Sequence, residues 1–189
     1  MEQPSTRRGK VSHIIGYSFL WLFYLYLYIQ ILSFNQGNVT NLLLSGLYLV
    51  LFGVHEISHL VFSFLPNILT AGAGSISEIV FTSTIVVVAY RAKSYWAMIF
   101  GVLWLMMALA STGNYMADAS AQSMPLMGPG TDLIHDWNFV FGKLGWLDAC
   151  EAIGKTMKVI GWIIGAGGLL MGLLLIFALI KPVTVNAKS

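Results

Sequence analysis

An all-α integral membrane bundle of about five transmembrane helices is the fold class that three observations predict. The chain of 189 residues is 57% hydrophobic and only 10% charged, whereas soluble domains carry about 25% charged residues. Its mean hydropathy is +0.77. Its apolar residues fall into runs of about 20, the length a helix needs to cross roughly 30 Å of hydrocarbon. Such runs must be helical, because lipid offers backbone N–H and C=O groups no partner. Residues 1–189 therefore read as a single membrane domain.

The elements follow in order. The first span, about 12–33, is VSHIIGYSFLWLFYLYLYIQIL, behind the basic start MEQPSTRRGK. It is too long for the 7–15-residue core of a signal peptide. Its aromatic run WLFYLYLY reads as lipid-facing and interfacial packing. NQGNVTN is a polar turn. The second span, about 42–65, contains His55-Glu56-Ile57-Ser58-His59 and stops at Pro66-Asn67. TAGAGS is read as a turn leading into a third span, about 75–90, and Arg91-Ala92-Lys93 turns the chain into a fourth, about 94–118. Residues 119–156 are a long non-spanning loop. The segment WLDACEAIGKTMKVIGW is amphipathic enough to lie on the membrane before the fifth span enters it. The fifth span, about 157–180, is closed by Lys181 and Pro182. Gly161 and Gly165, then Gly168 and Gly172, are small residues four apart that permit close helix packing within the bundle.

Charge and cysteine content narrow the function classes. A formal net charge of +2, spread along the chain, gives no basic patch for nucleic acid. The single cysteine, Cys150, excludes an intrachain disulfide framework and a cysteine-rich metal site. With the N-terminus cytoplasmic, Arg7, Arg8, Lys10, Lys143, Lys155 and Lys158 fall inside, and Arg91, Lys93, Lys181 and Lys188 fall outside. That balance favours this orientation.

HEISH carries the chemistry. In a helix, residues four apart share a face, so His55 and His59 point together with Glu56 beside them. Two imidazoles at this spacing suit Zn2+, and the glutamate suits a general base acting on the water that zinc activates. With four histidines in 189 residues, a chance match is roughly a 0.002 event. Ionisable side chains inside a span cost roughly 2.5–3.5 kcal/mol each and mark function by default. His55 sits about 20 Å into the span at 1.5 Å per residue. Alternating spans bring that end of span two to the same membrane face as Ser75 and Glu78, Asn114 and Asp118, and the loop residues Asp132, His135 and Asp136. A catalytic zinc usually takes three protein ligands. The candidates for the third are Asp118, His135, Asp136 and Glu78, with Asp136 also suited to accept an N–H from a ligating histidine.

HEISH on a transmembrane helix, followed two helices later by the aspartate of GNYMADAS, resembles the core of the site-2-protease-type intramembrane metallopeptidases. The resemblance implies His55, His59 and Asp118 as ligands, Glu56 as base and Asn114 as a polar helper for the oxyanion. Here the aspartate stands in Ala-Asp-Ala rather than Leu-Asp-Gly. Residues 50–160 also resemble a group of small bacterial membrane proteins placed loosely with that family, through GAGS, YMADA and HDW. Within that group His135 competes as a ligand. The expectation is a membrane-embedded zinc metallohydrolase in a bacterial inner membrane, an intramembrane peptidase acting on a transmembrane-helix substrate among membrane lipid. Two alternatives stand beside it: a zinc hydrolase of lipids or other amides, and a non-catalytic metal-binding membrane subunit.

Overall fold

The computed structural model describes residues 7–34, 41–124 and 134–180. Residues 35–40 of the polar turn NQGNVTN, Asp132 and the closing residues Lys181, Pro182 and Lys188 lie outside the described residues. The chain forms α1 (Arg7–Leu32), α2 (Leu42–Val61), α3 (Asn67–Arg91), α4 (Tyr95–Ala117), α5 (Asp136–Leu144), a 3-10 turn (Leu147–Ala149) and α6 (Cys150–Ile180). Among the described residues there is no strand. Five helices are long and apolar enough to cross a membrane: Gly9–Leu32, Leu42–Val61, Asn67–Arg91, Tyr95–Ala117 and Leu147–Ile180. The all-α bundle expected from the hydropathy pattern is the fold observed.

Local sequence explains where the helices begin and end. The Asn41 side chain accepts from Leu43 N–H at 2.9 Å and from Leu44 N–H at 3.3 Å, capping α2. Such a cap stabilises a helix by about 1 kcal/mol. Pro66 precedes α3 with φ −54, already in the conformation proline favours. The short α5 ends at Gly145, whose φ of 69 closes the helix in the left-handed region.

Two stretches differ from the sequence reading. TAGAGS is no turn: α3 starts at Asn67, and Gly72, Ala73, Gly74 and Ser75 are buried inside the helix. Glycine is a poor helix former, but its bare backbone lets a neighbour approach, and that close packing outweighs the propensity. Nor is the segment before span five a separate element. From Cys150 it is continuous with α6. Gly154 is pressed against the Gly113 carbonyl and Ala117 of α4, leaving no room for a side chain.

α4 is the central helix and the most buried of the five spans. α6 lies along it through the predicted glycine stripe. Gly161 packs on Leu109, Gly165 on Met106, Gly168 on Val102, and Gly172 on Trp21 of α1. In lipid, where burial of apolar surface gives no gain, this close contact is the main source of helix association. The aromatic run of α1 divides by face. Phe19, Phe23 and Tyr26 are exposed on the outer face of the bundle. Trp21 donates to Leu169 O, Tyr24 to Trp96 O and Tyr28 to Trp162 O, which stitches α1 to α4 and α6. α2 rests mainly on α3. The C-terminal half of α2, the first half of α3, the end of α4 and the start of α5 meet at one end of the bundle.

Candidate metal centre

The site is built on α2. His55 and His59 lie one turn apart, with ring centroids 4.9 Å apart. Each ring has its Nδ1 atom held. His55 Nδ1 donates to Glu78 Oε1 on α3 at 2.8 Å, and His59 Nδ1 donates to the Thr70 carbonyl at 2.9 Å. Both Nε2 atoms are thereby aimed inward, at the same carboxylate oxygen. Asp136 Oδ2 is 3.1 Å from His55 Nε2 and 3.3 Å from His59 Nε2. His55, His59 and Asp136 are the group of donor atoms, among the described residues, close enough together to hold a metal ion.

The donor set fits zinc. Zinc–ligand bonds of 2.0–2.2 Å in a tetrahedron put neighbouring donor atoms about 3.3–3.5 Å apart, close to the two separations here. The ligand types, two imidazoles and one carboxylate, are those of catalytic zinc sites. Outer acceptors on ligating histidines fix the tautomer and the ring orientation, which is what Glu78 and the Thr70 carbonyl do. His55 is buried, whereas the His59 side chain is 25% exposed and leaves the centre open on its own side. Gly74 makes room for the His55 ring, because a Cβ there would stand 2.5 Å from Nε2.

Asp136 reaches α2 because α5 is anchored on both sides of it. His135 caps the helix by accepting from Asn138 N–H at 3.2 Å, and the Trp137 indole donates to Ser75 Oγ on α3 at 3.0 Å. The Asp136 backbone N–H donates to Tyr115 Oη at 3.1 Å.

The third donor expected from the resemblance is not the one the fold brings to the histidines. Asp118 folds back on its own chain: Oδ1 accepts from the Ser123 backbone N–H and hydroxyl, and Oδ2 from Met124 N–H. Burial raises its carboxyl, but these donors prevail and keep it below the ordinary range. His135 is likewise turned from the centre, with Nε2 3.4 Å from Asp118 Oδ2, and burial holds its imidazole below the usual histidine range. Asn114 spends its amide on the Phe34 carbonyl at 3.2 Å, away from the histidines. Glu56 is half-buried, and no donor to its carboxylate is found among the described residues.

Both Glu78 and Asp136 were candidates for the third donor, and the acceptor role weighed for Asp136 falls to Glu78. Glu78 accepts the N–H, and Asp136 stands among the donor atoms. Thr70, Gly74 and Tyr115 escaped the sequence reading. A backbone carbonyl and a space left by glycine have no signature in a single sequence, although Tyr115 ends span four at the same face as HEISH.

Glu78→Gln tests the outer contact. The amide keeps the shape but loses the charge that holds the Nδ1 proton of His55. Zinc affinity is expected to fall about 10–100-fold, measured by competition with a chelator, with full occupancy regained at excess zinc. An unchanged affinity would detach Glu78 from the centre.

No protein-family model, no curated protein and no solved structure matches this chain.

Proposed function

We propose that this chain is a multi-pass membrane zinc metallohydrolase that cleaves amide bonds, a peptidase of the intramembrane type. One observation carries the reading: the Nε2 atoms of His55 and His59 converge on one Asp136 oxygen while both Nδ1 atoms are held by outer acceptors. Bound zinc supplies Lewis acidity toward a carbonyl and lowers the pKa of water to about 7. Glu56 is the group that accepts the proton of the attacking water and returns it to the leaving amine. The resemblance to site-2-protease-type enzymes supports the same assignment of His55, Glu56 and His59. In this reading the third ligand comes from α5, beyond the fourth span. A transmembrane-helix substrate unwinds locally, since a helix shields its amides. The orientation with a cytoplasmic N-terminus, in a bacterial inner membrane, belongs to the same proposal.

Elemental analysis of the detergent-purified protein tests it. About one zinc per chain is expected, lost in His59→Ala. Wild-type protein that holds no zinc after resupply would leave the cluster as a polar network between helices and end the hydrolase reading.

A further inference from the structure

Resting on that metallohydrolase reading, we propose that Tyr115 is a catalytic residue whose phenol O–H donates to the substrate carbonyl oxygen as that oxygen takes on negative charge. Acyl hydrolysis gains from such a donor, and a single one is worth about 10²–10³ in rate. The resemblance assigns this work to Asn114, but that amide is committed to Phe34 O. Three hydroxyls near the centre are committed as well. Ser58 donates to Val54 O, Thr70 to Phe62 O, and Thr82 to Glu78 O. The Trp137 indole is spent on Ser75.

Tyr115 differs from these. Its oxygen is pinned by the Asp136 backbone N–H at 3.1 Å, which uses a lone pair and leaves the hydrogen. The nearest acceptor for that hydrogen is Asp136 Oδ2 at 3.4 Å, longer than the 2.5–3.0 Å of a good O–H···O bond. Asp136 Oδ2 is also the oxygen at which both histidine Nε2 atoms converge. The phenol therefore stands at the rim of the centre with a fixed oxygen and a poorly used proton. Its ring is held against His135, with centroids 4.2 Å apart.

The step balances with water as the only co-reactant. The water oxygen bonds to the carbonyl carbon, and Glu56 takes the water proton. The π pair moves onto the carbonyl oxygen, where the Tyr115 O–H meets it. When the pair returns, the C–N bond breaks and the proton on Glu56 passes to the amine. Tyr115 keeps its own proton throughout.

The test uses full-length protein in detergent, loaded with cobalt in place of zinc, with acetohydroxamate as an oxygen-donor probe of the carbonyl position. Visible absorption reports both cobalt uptake and probe binding. Tyr115→Phe is expected to take up cobalt like wild type and to bind acetohydroxamate about tenfold more weakly. Equal probe affinity would overturn the proposal. Loss of cobalt from Tyr115→Phe would also overturn it, making Tyr115 a clamp on Asp136 and leaving the metal reading intact. Wild-type protein that takes up no cobalt would sink the metal reading and this one together. If Tyr115→Phe fails to fold, 3-fluorotyrosine at position 115 keeps the shape and donates more strongly. It must then tighten the probe, and an unchanged affinity would overturn the assignment.

Discussion

Asp136→Asn is expected to abolish the proposed zinc binding, whereas Asp118→Asn is expected to leave it in place and weaken the fold. The two aspartates have the same chemistry and opposite engagements. Asp136 Oδ2 lies 3.1 and 3.3 Å from two imidazole nitrogens, and the neutral amide of asparagine is a much poorer donor for a hard-to-borderline cation. Zinc affinity should fall by more than the roughly 10–100-fold that follows loss of an outer partner. Asp118 instead accepts from three donors of the chain that follows it. Hydrogen bonds to a charged acceptor contribute about 1.5–3 kcal/mol, so Asp118→Asn should cost about 1–3 kcal/mol in thermal or denaturant unfolding. Because the folded Asp118 carboxyl lies below its ordinary range, its contribution is present above the unfolded pKa and is lost as pH falls through the folded one. The stability gap between variant and wild type should therefore close in acid. Metal analysis decides the pair: zinc lost from Asp118→Asn and kept by Asp136→Asn would return the ligand role to Asp118 and contradict the geometry.

The spans and the two histidines were legible because they rest on local rules. Hydropathy over about 20 residues defines a crossing helix, and spacing alone puts His55 and His59 on one face. The third donor rests on how residues 119–156 fold. Spacing offers no choice between Asp118, in a stretch that looks like a known motif, and Asp136, one residue after a histidine. The choice is made by tertiary contacts: Trp137 to Ser75 and the Asp136 N–H to Tyr115 bring Asp136 onto α2, while Ser123 and Met124 hold Asp118 back. GAGS misled for a related reason. Glycine and serine signal a turn when only the local chain is considered. Here the bare backbone of Gly74 serves the neighbouring helix, by accommodating the His55 ring. Pro66 immediately before Asn67 was the overlooked sign that a helix begins there.

Glu56→Gln should hold zinc at the wild-type level and lose hydrolysis. The residue follows His55 on α2, so its removal as a base leaves the histidine face unchanged. It stands outside the donor group of His55, His59 and Asp136, and both Nδ1 contacts belong to other residues. Glutamine preserves size and polarity but neither takes nor returns a proton at pH 7. General acid–base catalysis contributes about 10²–10⁴-fold, and that is the loss expected against an internally quenched peptide carrying an apolar helical segment, with kcat falling rather than KM rising. The wild-type protein must cleave that peptide or a lipid amide for the comparison to be made, and cleavage of the lipid alone would move the reading to a lipid hydrolase. Full activity in Glu56→Gln, with zinc retained, would remove the base from the mechanism. A protein that holds zinc but cleaves neither substrate would make the centre a metal-binding site of a non-catalytic subunit, in which the histidines and Asp136 still have a role and Glu56 has none.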